Sequence, residues 1–168
     1  MSTADLSVYN HDSFHREVMR DLRFRGGPGP GERAPDFDLP TTEIAGRFRL
    51  SSRREVRPVL LTFGSLTCPY TLGALDALRA LYPVFEGRLD FVTVYVREMH
   101  PGELHPQPRT LHEKLRHARE WKRLDEIPWT VAVDRLDGEV HRAFGLLPTP
   151  AFLIDSKGRV AFRTVWSG

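Results

Sequence analysis

The sequence predicts an α/β sandwich, a central mixed β-sheet with helices on both faces. Three observations point to it. Val59–Phe63 has the apolar pattern of a strand covered on both faces, and Leu89–Val96 reads as a second buried strand rich in Val, Phe and Tyr. Stretches with helical spacing follow each of them, so strands and helices alternate. Ala151–Ile154 and Val160–Val165 then flank Asp155-Ser-Lys-Gly158, the composition of a hairpin turn. Alternation alone also permits a flavodoxin-like parallel sheet, so the choice between topologies rests on the motifs below.

The elements follow in order. Phe37–Leu39 and Arg47–Leu50 are short extended pieces with apolar residues two apart. Val59–Phe63 leads into a helix over Pro69–Phe85, where Leu78, Leu81, Tyr82 and Phe85 have the spacing of a buried stripe. After the Leu89–Val96 strand, an irregular loop with prolines and histidines runs from Arg97 to Pro108. Thr110 can cap the next helix, Leu111 to about Leu124, with Glu113 as its capping-box partner. Trp129–Val133 is a strand, Asp137–Phe144 a short helix, and Gly145 its C-terminal stop. Ahead of all this, residues 1–30 form an N-terminal extension, helical around Ser13–Leu22, with a Gly/Pro-rich linker leading into a domain over 31–168.

Bulk properties exclude several functions. Hydrophobic residues make up 40% and charged residues 27% of the 168 positions, ordinary for a globular domain. Lys plus Arg number 24 against 22 Asp plus Glu, and no basic block interleaves with aromatics, so no nucleic-acid partner is expected. No apolar run approaches the roughly 20 residues that span a bilayer, so no membrane partner is expected either. The charged N-terminus lacks a signal-peptide core, and one cysteine permits no internal disulfide; both point to the cytoplasm. The three tryptophans, Trp121, Trp129 and Trp166, read as core residues or as subunit contacts of a homodimer.

The chemistry centres on Cys68. It stands between a strand end and a helix that starts at Pro69, a residue favoured at the first helical position. Unpaired N–H groups and the positive end of the helix dipole there favour an anionic nucleophile. A lone cysteine is also often just a small buried hydrophobe. Pro148-Thr149-Pro150 enters the Ala151 strand, where Pro150 costs no ladder bond. A cis Thr149–Pro150 bond would set the Thr149 backbone near the sulfur, ready to pair with an extended substrate, while trans is the commoner isomer. His100, Glu103 and His105 form only a weak metal-ligand set, and no metal is assigned. His112 and His117, five apart on a helix, do not form a pair.

Gly31-Glu-Arg-Ala-Pro-Asp-Phe37, Phe63-Gly-Ser-Leu-Thr-Cys-Pro69 and Pro148-Thr-Pro150 together resemble the redoxin branch of the thioredoxin superfamily. Within it the chain is most similar to the iodothyronine deiodinase family, with Cys68 in the selenocysteine position. Asp90-Phe-Val-Thr-Val-Tyr-Val-Arg-Glu-Met-His-Pro101 resembles that family's next strand and its Glu-x-His-Pro tail, and Pro106-Gln-Pro-Arg-Thr-Leu111 its following loop. A histidine that the family places before the loop arginine is Pro108 here, and selenium is absent.

The resemblance implies a thioredoxin-like three-layer sandwich and a thiol-dependent oxidoreductase. Cys68 is then the nucleophile toward a soft electrophile: a halogenated aromatic, as in a thyroxine-type deiodinase, a disulfide or a peroxide. Ser65, Thr67, Glu98 and His100 are its polar company, His100 as proton shuttle and Glu98 as the group that tunes or orients it. Pro69, Tyr70, Thr149 and Pro150 would contact the small-molecule substrate. Position 71 is Thr, so no Cys-x-x-Cys dithiol exists and no cofactor is implied; an external thiol or thioredoxin-type reductant must regenerate the cysteine. Two alternatives remain. A 1-Cys peroxiredoxin-like peroxidase is disfavoured because Leu61 stands where its motif wants proline and no arginine occurs from Gly145 to Phe152. The other is a non-catalytic thioredoxin-fold interaction module.

Overall fold

The computed structural model describes residues 9–14 and 23–167. The helix expected around Ser13–Leu22 falls largely outside them. Strands β1 (Asp38–Pro40) and β2 (Arg47–Arg49) pair as a small antiparallel ribbon. The central sheet contains β3 (Val59–Gly64), β4 (Asp90–Tyr95), β5 (Thr130–Val133), β6 (Ala151–Ile154) and β7 (Val160–Thr164), in the order β5-β4-β3-β6-β7. β3, β4 and β5 run parallel, while β6 is antiparallel to β3 and β7 to β6. Parallel neighbours need crossovers, supplied by α1 (Pro69–Phe85) and α2 (Leu111–Leu124). The short α3 (Glu139–Ala143) lies between β5 and β6.

Strand alternation divides the core into two layers. Leu61 and Phe63 of β3, Val92 and Val94 of β4, and Phe152 and Ile154 of β6 face one side. There they pack with Val140, Phe144, Phe37 and Leu39. Phe91, Tyr95, Val131 and Val133 face the other, against Leu75 and Leu78 of α1 and Ala118 and Trp121 of α2. The result is the three-layer sandwich expected from the alternation. Trp121 and Trp129 are core residues.

Local signals set the helix ends. Pro69 opens α1 as its first residue, with Cys68 as N-cap. Thr110 and Glu113 form the reciprocal capping box of α2. The buried face of α1, however, differs from the expected stripe. It runs through Thr71, Ala74, Leu75 and Leu78, whereas Leu81 is 43% exposed and Phe85 is exposed too. Length explains this. A 17-residue helix spans about 25 Å, but a six-residue strand covers only about 20 Å, so the last turn of α1 runs past the sheet. The first turn packs tightly: a Cβ at Gly64 would meet Thr71 Cγ2 at 2.6 Å, so only glycine fits at the end of β3.

The Gly/Pro-rich stretch expected as a linker is packed against the domain. Arg25 N–H donates to Gly145 O, and Phe24 packs edge-on against Phe152 at 5.5 Å. Gly31 and Val160 exchange bonds with the facing backbone (Gly31 N–H to Val160 O, Val160 N–H to Glu32 O), which covers the outer edge at β7. Thr42 N–H donates to Val131 O, so the segment after β1 covers the opposite edge at β5. Each edge strand is thereby partly covered.

Candidate active site

Cys68 sits where β3 ends and α1 begins, and its own N–H donates to Ser65 O at 3.2 Å. The side chain is 1% exposed. A reagent therefore reaches the sulfur only when a neighbouring segment moves.

The loop before Cys68 is fastened to the loop after β4 by side-chain bonds. Met99 N–H donates to Ser65 Oγ at 3.3 Å, and His100 N–H to Thr67 Oγ1 at 3.2 Å. The Thr67 hydroxyl donates to Glu98 Oε2 at 2.8 Å, and Thr67 N–H reaches the same oxygen at 3.3 Å. Glu98, with no exposed surface, takes two more contacts at Oε1, from the Tyr95 hydroxyl and from His117 Nδ1 at 3.3 Å. Burial first, and Glu98 next, push the Tyr95 pKa well above its usual value, so Tyr95 stays a donor. Gln107 holds the backbone of the same residue from both sides, accepting from Glu98 N–H and donating to Glu98 O.

Ser65, Thr67, Glu98 and His100 are thus brought together beside Cys68, but not in the expected pairing. Glu98 orients Thr67, not His100. The His100 ring stacks on Phe14 at 4.0 Å, and its Nδ1 is buried without a hydrogen-bond partner. The two hydroxyls serve the loop after β4, and Cys68 itself is the N-cap of α1.

Pro69 and Tyr70 are exposed on the first turn of α1, and Tyr70 packs on Trp166 at 4.7 Å. Thr149 and Pro150 are buried. No peptide bond among the described residues is cis, so Thr149–Pro150 is trans, and Thr149 forms an isolated bridge to Trp166. Among the described residues no three His, Cys, Asp or Glu side chains converge as metal ligands. No helix among them is long and apolar enough to cross a membrane.

Sequence reasoning missed Tyr95, Gln107 and His117 as parts of this network. His117 was legible from helical spacing, because Lys114, His117, Ala118 and Trp121 share the buried face of α2. It also missed the strap formed by Tyr9–Phe14. Arg97 donates to Tyr9 O at 2.6 Å, Asn10 to Leu136 O at 2.6 Å and Gln107 to His11 O at 3.0 Å, ending with Phe14 on His100. Gly138, at φ 68°, leaves the space that the Tyr9 ring fills.

The Tyr9 hydroxyl meets His141 Nδ1 at 2.8 Å, while His141 Nε2 meets Leu147 O at 2.7 Å. A carbonyl only accepts, so Nε2 carries the proton and Nδ1 accepts from Tyr9. Burial pushes the His141 pKa from 6.5 down to about 3. The unfolded chain then binds more protons between these values, so the stabilisation is complete above pH 6.5 and lost as pH falls toward 3. The expected outcome is a stability loss on the order of 3–5 kcal/mol across that window in chemical denaturation. His141→Gln flattens that limb; an unchanged acid limb in this variant contradicts the assignment.

The comparisons with known proteins follow the same geometry. The chain is 29% identical over 126 residues to the thyroxine 5-deiodinase of Sparus aurata, covering 68% of this chain and 46% of that protein. It is 30% identical over 125 residues to the thyroxine 5-deiodinase of Gallus gallus, covering 68% and 48%. The chain spans about half the length of the curated relatives it matches. A putative thiol:disulfide interchange protein DsbE from Chlorobium tepidum superposes with a TM-score of 0.61 at 23% identity, over 83% of this chain and 87% of that one. Peroxidoxin BcpB from Mycobacterium tuberculosis superposes at 0.60 with 22% identity, over 82% and 85%. These likenesses identify the sandwich as a thioredoxin-like fold. The AhpC/TSA family model matches residues 30–163, most of the chain and every element of the Cys68 site, and so the chain belongs to the AhpC/TSA family of redoxins.

Proposed function

We propose that the chain is a thiol-dependent oxidoreductase of the deiodinase-like redoxin type, with Cys68 as its nucleophile. The observation that carries this reading is the placement of Cys68 at the N-cap of α1, next to a Thr67 held by the buried Glu98. The helix N-terminus favours negative charge on sulfur. The Cys68 thiolate attacks one sulfur of a disulfide, that S–S bond breaks, a mixed disulfide forms, and the other sulfur leaves as thiolate. An external thiolate then attacks the mixed disulfide and releases Cys68, because no second cysteine exists. With a peroxide the thiolate attacks one oxygen and the O–O bond breaks, giving sulfenic acid and releasing water or an alcohol; two external thiols then return the sulfenic acid to thiol, leaving as their disulfide with release of water. With an iodinated ring the thiolate takes iodine as the C–I bond breaks and the ring carbon takes a proton; two external thiols then return the sulfenyl iodide to thiol, leaving as their disulfide with release of iodide. A lone thiol with this cycle suits a reducing compartment such as the cytoplasm.

The burial of Cys68 favours a second reading, a binding module whose cysteine is inert. Turnover of hydrogen peroxide, hydroxyethyl disulfide and an iodinated phenol, each with dithiothreitol, separates the two. Cys68-dependent consumption of at least one oxidant supports the oxidoreductase. Consumption no faster than with Cys68→Ser for all three leaves the binding module.

A further inference from the structure

We propose that His117 is a positioning residue of the Cys68 site, acting through Glu98. The inference rests on the reading of Cys68 as a nucleophile. Glu98 is the only carboxylate tied to the Cys68 loop by the side-chain bonds described above, and it is filled from two directions. Thr67 occupies Oε2, while Tyr95 of β4 and His117 of α2 approach Oε1. His117 is itself buried. Behind it the His105 ring packs edge-on at 5.4 Å, and His105 Nε2 pairs with Glu120 at 3.3 Å near the surface.

Other charged groups bear on Glu98. Lys114, one turn earlier on the same face of α2, is attracted by Asp134, Glu98 and Asp137 and repelled by Arg97. Its ammonium is spent on Arg135 O at 3.0 Å, and burial lowers its pKa to about 8. Among the described residues, His117 is the basic side chain that pairs with Glu98, Nδ1 to Oε1 at 3.3 Å.

The consequence for Cys68 runs through the backbone. Thr67 N–H and Oγ–H both end on Glu98, Leu66 N–H on the Tyr95 hydroxyl, and His100 N–H on Thr67 Oγ1. These bonds aim Cys68 at the start of α1. Without the His117 contact, Oε1 keeps only Tyr95, Glu98 is free to rotate, and the loop that presents the sulfur loosens.

The test compares His117→Leu, which removes the bond, with His117→Asn, whose amide can donate from near the Nδ1 position. Iodoacetamide alkylation of Cys68 is followed from pH 5 to 9, alongside thermal unfolding. The Leu variant is expected to react about tenfold more slowly at pH 7, the scale of one lost bond to a charged group, with its pH–rate profile moved toward alkaline pH. The Asn variant stays within about threefold of wild type with an unmoved profile. Wild-type profiles in both variants, or equal slowing that simply follows the drop in Tm, overturn the proposal. If the Leu variant does not fold, the wild-type protein decides: the His117 ring NMR signals shift when Cys68 is alkylated, and fixed signals overturn it. A wild-type Cys68 that alkylates no faster than glutathione defeats the functional reading and this proposal with it. A fast wild type beside an unaffected Leu variant defeats this proposal alone.

Discussion

Cys68→Ser leaves no thiol-dependent turnover above background, a loss of at least about 10³-fold for whichever electrophile the wild type consumes. Serine keeps the shape of the side chain but not its chemistry, since a hydroxyl is scarcely ionised near neutral pH and cannot form a mixed disulfide. No other cysteine in the chain can stand in. The fold survives the exchange. Burying a hydroxyl in place of a thiol costs on the order of 1–3 kcal/mol, within the margin of a domain of this size. A variant with a native circular dichroism spectrum and undiminished turnover would place the chemistry elsewhere.

Glu98→Gln produces a large loss of stability. The carboxylate is met by Thr67 N–H, Thr67 Oγ–H, the Tyr95 hydroxyl and His117. An ionised carboxylate accepts at both oxygens, whereas glutamine offers one oxygen and turns an NH2 group on the remaining donors. At least one buried donor loses its acceptor whichever way the amide is flipped. The cost is expected to be about 3 kcal/mol or more, read as a Tm lower by roughly 6–12 °C. Cys68 reactivity falls with it, because Thr67 is no longer held. A Gln variant with wild-type Tm would contradict this role for Glu98.

Much of the fold was legible because local chemistry and tertiary packing agree. Pro69 marks the start of α1, Thr110 with Glu113 marks the start of α2, and the largely apolar sequences of β3 and β4 follow from burial on both faces. The motif around Cys68 likewise located Ser65, Thr67, Glu98 and His100 in one neighbourhood. What was not legible depends on which elements meet. Helical spacing does not say how far along α1 burial extends: Leu81 and Phe85 continue the face of Ala74 and Leu78, and the finite length of the sheet leaves them exposed. Residues 24–35 contain the glycine and proline of a linker, yet they serve as an edge cover because Val160 and Gly145 offer free backbone groups. The expected Glu98–His100 pair fails for a similar reason: the chain leaves the strand after Tyr95 and bends at Met99 and His100, and partners of Glu98 such as His117 come from a distant helix. Phe14 against His100 depends on the docking of the Tyr9–Phe14 strap, which no local pattern announces.

The measurement that bears most directly on the central claim is intact-mass analysis of the native protein mixed with a small excess of a low-molecular-weight disulfide at pH 7. The account predicts a single adduct on Cys68, formed faster than on the same protein unfolded in urea and removed on adding dithiothreitol. No adduct on the native protein, with ready modification of the unfolded chain, would contradict it and leave Cys68 as a buried core residue of a binding module.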